Sequence, residues 1–194
     1  MKKNILPIIA IGLMTCSCSA QQKTSEFKTE TEKWKKELVA SGEVGNPCRE
    51  DNDWQKWQED NPKAYFGLQE IQSSESDFNS DGIRDGLFYF PAENCVGGNG
   101  TGSDFGMLVY SNDGEFLTNK NITQTIENGI KTELAKIKIN DVYKIYIHYK
   151  GLGKTIIGEY FAWSEDDANC CPSGNGTFEY NPVDLTTEIK NKSE

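Results

Sequence analysis

The stretch Asp77-Phe78-Asn79-Ser80-Asp81-Gly82-Ile83-Arg84-Asp85 has the residue types and spacing of a cation loop. Oxygen-bearing side chains stand at its first, third, fifth and ninth positions, with glycine at the sixth, which is the arrangement a hard divalent cation needs. Alternate spacing turns the oxygens inward, and the glycine permits the sharp bend. Asp77, Asn79, Asp81 and Asp85 are the expected side-chain ligands for Ca²⁺, with the Ile83 carbonyl as a further donor. Such a site would be structural and weak. The plainer reading is an Asp/Asn-Gly turn with solvated carboxylates.

The pattern resembles the calcium loops of FG-GAP repeats, and more loosely those of dockerins and EF-hands. The resemblance implies the ligand roles just named. The chain departs from the EF-hand pattern at the twelfth position, where Phe88 replaces the bidentate glutamate and the sequence already reads as strand. A loop of nine residues running straight into a strand is closer to FG-GAP, although only one copy is present. A wider resemblance runs from Asp77 to the C-terminus. It takes in the Asp-rich loop, Gly97-Gly98-Asn99-Gly100-Thr101-Gly102, Leu108-Val109-Tyr110 and Cys170-Cys171-Pro172-Ser173 before Thr177–Tyr180. This is similar to small bacterial lipoproteins of the LppP/LprE type, which implies export and a β-rich fold and brings no activity with it. The stretch Trp34–Phe66 lies outside the resemblance.

Other candidates for chemistry are thinner. His148 is the only histidine, and alternation along Asp141–Lys150 puts it opposite Tyr143, Ile145, Ile147 and Tyr149. It is expected on the surface, with no Ser-His-Asp or Cys-His set signalled around it. The glycine run 97–102 lacks the Gly-Lys-Ser/Thr ending of a phosphate loop and precedes a strand, so it reads as a mobile loop with ligand contact as the alternative. Trp34, Trp54 and Trp57 are expected to pack helix on sheet, the alternative being a sugar-stacking platform. Acidic neighbours such as Glu165-Asp166-Asp167 carry little information in so acidic a chain, because a glycosidase pair is defined by its separation in space.

The N-terminus reads as an export signal. Met1-Lys2-Lys3 is followed by an apolar run, Ile5–Met14, whose ten residues fall short of the ~20 that a membrane-crossing helix requires. Leu13-Met14-Thr15-Cys16-Ser17-Cys18 then offers two lipobox cysteines, Cys16 and Cys18, with cleavage after Ala20 as the rival. The expectation is a signal peptide over 1–20, a flexible tether over 21–31 and one globular domain over 32–194. The mature protein would be anchored to a membrane through its N-terminal lipid, in the cell envelope outside the cytoplasm.

Loss of Lys2 and Lys3 with the signal takes the formal net charge from −10 to −12. That surface repels nucleic acid and anionic lipid. An aromatic content of 11% supports a packed domain over disorder. Outside the signal remain Cys48, Cys95, Cys170 and Cys171, which in an exported protein predict two disulfides. Adjacent Cys170 and Cys171 are expected to reach different partners, pinning their turn to the loops around Cys95 and Cys48.

Helical spacing is expected over Ser25–Ser41 and, more briefly, over Asp51–Gln58. Strands are expected at Gly86–Pro91, Asp104–Ser111, Lys131–Ile139, Val142–Lys150, Lys154–Trp163, Thr177–Tyr180 and Val183–Ile189. Helices early and strands late predict an α+β fold, with N-terminal helices packed on a meandering antiparallel β-sheet. The functional expectation is a non-catalytic binding or accessory lipoprotein. An inhibitor or immunity-type protein that binds a partner protein, and a carboxylate-based envelope hydrolase, are the alternatives.

Overall fold

A computed structural model describes residues 18–49, 53–96, 102–168 and 170–192, with side chains from Glu26 onward. Helix α1 (Cys18–Ser41) leads into a short strand β1 (Val44–Gly45), helix α2 (Trp54–Asp60) and a second short strand β2 (Phe66–Gly67). Strands β3 (Gln72–Ser76), β4 (Asp85–Phe90), β5 (Glu93–Asn94), β6 (Phe105–Asn112) and β7 (Glu115–Asn119) follow. Helix α3 (Ile122–Lys136) precedes the final meander of β8 (Val142–Leu152), β9 (Ile156–Ser164), β10 (Gly174–Asn181) and β11 (Thr186–Asn191). The fold is α+β. Among the described residues the strands form three sheets, ordered β1-β2-β5, β3-β4-β6-β7 and β11-β10-β9-β8, and every pairing except β1 with β2 is antiparallel.

Strand β4 explains how the layers stack. All six of its residues are buried, because both of its faces are covered. Phe88 and Phe90 face α1, where they join Phe27, Trp34 and Leu38 together with Met107 and Val109 of β6. Leu87 and Tyr89 face the other way, into a core shared with α3 and with the inward residues of β8, β9 and β10. Helix α3 supplies Ile122, Ile126, Ile130 and Leu134, all with zero exposure. Their i, i+4 spacing makes one continuous apolar stripe.

Three expectations are corrected here. The segment 21–31 lies within α1. Phe27 in that segment is buried, with its ring 5.3 Å from Phe88 and 6.3 Å from Phe116, so the helix packs on the sheet from this residue onward. Lys131–Ile139 belongs largely to α3, whose apolar period is four, and the alternation of Leu134, Ile137 and Ile139 was the misleading part. The third concerns the cysteines. Cys95 pairs with Cys48 across 47 residues of sequence, and the Cys170 and Cys171 sulfurs face each other. Cys48 follows β1 and Cys95 follows β5, the strands flanking β2, so this bridge passes over Gly67 of β2. The tip carrying Cys170 and Cys171 is fixed elsewhere, by Asp167 at its base.

Candidate functional site

The Asp77–Asp85 loop, the edge of β8 and a cleft beside α1 each bring polar or ligand-sized features together.

The loop closes through its own backbone. Asp77 Oδ1 accepts from Asp81 N at 3.1 Å, and its Oδ2 accepts from Gly82 N at 3.0 Å. Asn79 Oδ1 also accepts from Asp81 N, and Asp81 Oδ1 accepts from Ile83 N at 2.7 Å. Ser80 and Gly82 take positive φ, 64° and 82°, which is the bend the glycine was expected to allow. The structure therefore brings Asp77, Asn79 and Asp81 together. Asp85 behaves differently: it is fully buried, and its two oxygens accept from Phe78 N and Ser111 N, both at 3.0 Å. Burial pushes its carboxyl above the usual range, against the pull of those two bonds. Lys154 Nζ reaches the Asp77 carbonyl at 2.8 Å and Ser80 Oγ at 2.6 Å. Among the described residues no three His, Cys, Asp or Glu side chains form a metal-binding group. Oxygens of Asp77, Asn79 and Asp81 accept from backbone N–H groups of the loop, while Asp85 holds the loop on β6.

The free edge of β8 carries residues the sequence did not single out. Among the described residues strand β8 has a strand partner on one side only, so alternate N–H groups on its other side need acceptors. Ser103 Oγ accepts from Ile147 N at 3.1 Å, and Asp104 Oδ2 accepts from Tyr149 N at 2.9 Å. Asp104 N donates to the Ile147 carbonyl at 2.9 Å. The other Asp104 oxygen lies 2.9 Å from His148 Nδ1. His148 is on the outer face, as expected from alternation, yet it is only partly exposed and is bonded. On the far side, Ser103 is hydrogen-bonded to Glu127 of α3, whose carboxyl is raised by burial. Thr123 Oγ1 donates to the Asp104 carbonyl at 3.1 Å and lies 2.8 Å from the Tyr149 hydroxyl. Two residues just ahead of β6 thus stitch one sheet, α3 and the edge of the other sheet together. The preceding glycines, 97–101, lie outside the described residues, as do Cys16 and the signal segment. Cys18 begins α1.

The cleft opens between α1 and β3 and encloses about 870 Å³. Its apolar part is Phe27, Leu68, Ile71 and Phe88, and its rim carries charged side chains. Lys35 lies 2.9 Å from Glu32, and Arg84 lies 3.3 Å from Glu75, so much of the rim charge is paired. Lys35 beside Glu32 holds that carboxyl below the usual range. The three early tryptophans make no platform. Trp34 packs on Phe90 with ring centres 5.5 Å apart, Trp57 is buried with Nε1 donating to the Asn46 carbonyl at 2.8 Å, and Trp54 is exposed. Among the described residues no helix is long and apolar enough to cross a membrane.

Comparison with known proteins gives no relative: no family model matches this chain, and no curated protein or solved structure matches it.

Proposed function

We propose that this chain is an exported, lipid-anchored, non-catalytic binding protein that takes a small amphipathic ligand in the cleft between α1 and β3. The observation that carries the reading is the cleft itself. Its volume, about 870 Å³, is that of a small-molecule site, and its apolar part meets a charged rim that includes the pairs Lys35–Glu32 and Arg84–Glu75. An apolar body would lie on Phe27, Leu68, Ile71 and Phe88, and a polar end would meet the rim. The anchor position supports the same reading. With the lipid on Cys18, one of the two candidate cysteines, Phe27 is nine residue steps along the same helix, about 14 Å on its axis, which would hold the cleft mouth near the membrane surface.

Titration with a long-chain fatty acid, read by displacement of an anilinonaphthalene sulfonate probe, tests this. Binding to the wild type and a loss of at least about tenfold in Ile71→Asp, with the melting temperature retained, is the expected result. Equal binding by both proteins removes the cleft from the proposal. No binding by either, together with stable capture of an envelope protein, turns the reading towards the inhibitor class.

A second reading gives the Asp77–Asp85 loop a weak structural Ca²⁺. The convergence of Asp77, Asn79 and Asp81 favours it. Millimolar Ca²⁺ then raises the melting temperature of the wild type and leaves Asp81→Ala unmoved, since a ligand of the folded state stabilises it by mass action. A wild type indifferent to Ca²⁺ and to EDTA leaves the loop as a turn.

A further inference from the structure

Cys170 and Cys171 do no structural work of the kind that Cys48 and Cys95 do. A disulfide stabilises a fold mainly by closing a loop of unfolded chain, and the effect grows with the length enclosed. Cys48–Cys95 encloses a separation of 47 residues, whereas Cys170 and Cys171 are separated by one. Joining their sulfurs constrains only the peptide between them and encloses no loop.

Their surroundings point to access. Both residues are exposed, at the tip of the connection between β9 and β10. The base of that connection is fixed without sulfur. Asp167 Oδ2 accepts from Ser164 N at 2.8 Å and from Ser173 N at 2.9 Å. Cys171 N donates to the Ala168 carbonyl at 2.9 Å, completing a turn under the pair. Opening the sulfur–sulfur bond therefore leaves the anchoring hydrogen bonds of the loop in place. An exposed, chain-neutral pair has the properties of a labile disulfide, in contrast to a staple.

We propose that Cys170 and Cys171 form a thiol–disulfide exchange site, cycling between a closed vicinal pair and two thiols, with a dithiol oxidoreductase as the reaction partner. A thiolate of the partner attacks one sulfur of the pair. A mixed disulfide forms, the Cys170–Cys171 bond breaks, and the departing sulfur takes up a proton. The partner's second thiol then attacks the mixed disulfide and releases the remaining cysteine. Two electrons pass to the pair, and the partner leaves as a disulfide. The reverse sequence recloses it. This site is independent of the cleft beside α1 and of whatever binds there.

The folded full chain, equilibrated in a series of dithiothreitol concentrations, is quenched with iodoacetamide and mapped by tryptic peptides. Residues 155–190 carry Cys170 and Cys171, and residues 85–120 carry Cys95. The expected result is double alkylation of the 155–190 peptide at a dithiothreitol level at least roughly tenfold below that which opens Cys48–Cys95, and reclosure when oxidised dithiothreitol is added. Cys170→Ser with Cys171→Ser should leave the melting temperature in place, while Cys48→Ser lowers it. The proposal is overturned if both pairs open together, if the 155–190 peptide carries two free thiols under oxidising conditions, or if the double variant melts as early as Cys48→Ser.

Discussion

Asp104 divides its carboxylate between two consecutive residues of β8, one oxygen 2.9 Å from the His148 ring nitrogen and the other 2.9 Å from the Tyr149 backbone nitrogen. Together with Ser103, which accepts from Ile147 N, this buried carboxylate acts as a substitute for a neighbour strand. Asp104→Ala leaves the Tyr149 N–H without its acceptor and severs the link to His148. The expected cost is about 2 kcal/mol of folding stability, read as a lower midpoint of urea unfolding. His148→Ala, which spares the backbone bond, should cost distinctly less. If the two variants unfold at the same urea concentration, the backbone bond is not the important one.

Glu127 gives a pH prediction. Burial raises its carboxyl above the usual range, and the bond to Ser103 opposes this only in part. An acid with a raised pKa in the folded state holds its proton more tightly there than in the unfolded chain. Its favourable contribution is therefore present below the unfolded value, near 4.5, and is lost as pH rises through the folded value. Glu127→Gln keeps an acceptor for Ser103 and removes the titration. Over the window running upward from pH 4.5, the wild type should lose more stability than the variant, and the gap should close at lower pH. Parallel curves for the two proteins would contradict this.

Gly67 is needed for the disulfide that crosses it. A Cβ built there would lie 2.9 Å from Cys48 Sγ and closer still to Cys95 Sγ. Gly67→Ala should therefore block the bridge and yield free thiols at Cys48 and Cys95 on alkylation of the folded protein. With the loop between those cysteines no longer closed, stability should fall by up to about 4 kcal/mol. A normal disulfide in Gly67→Ala would show that the loops around the bridge can shift to admit a methyl group.

The β-strands were legible wherever one face is buried and the other is not. Alternation locates β8 and β9, whereas the largely exposed β3 and β7 carry no such signal. Strand β4 falls within the expected Gly86–Pro91 strand, but nothing in that short run signals that both of its faces are covered. Helix α3 was missed because its stripe, Ile122, Ile126, Ile130 and Leu134, is spread among polar residues and ends in a deceptive alternation at Ile137 and Ile139. The Asp77–Asp85 turn was visible from its Asp, Asn and Gly spacing, but the commitment of Asp85 to Phe78 and Ser111 depends on β6, 26 residues away from Asp85 at Ser111. Ser103 and Asp104 gave almost no signal. Their partners lie 44 and 45 residues downstream, and a Ser-Asp pair between a glycine run and a strand resembles any loop. The pairing of Cys48 with Cys95 runs against the expected links of both to Cys170 and Cys171, and it follows from the order β1-β2-β5, which sequence alone does not reveal.

The reading of 21–31 as a tether failed at one side chain, and that side chain supplies a test. A tether would leave Phe27 in water, where its removal changes nothing. In the fold its ring is 7% exposed and packs edge-on against Phe88 and Phe116. Further along α1, Thr118 donates to Glu30, and Lys120 pairs with Glu37, so the helix is held against β7 as well. Phe27→Ala should then lower unfolding stability by about 3–5 kcal/mol, the range for a buried phenylalanine truncated in a core. It should also enlarge the cleft that Phe27 lines, so ligand affinity and stability should fall together. Removal of all residues before Glu32 should be at least as damaging, since it strips Phe27 and Glu30 from the sheet. A truncated protein that melts with the wild type would restore the tether, and with it would go the cleft wall on which the proposed ligand site depends.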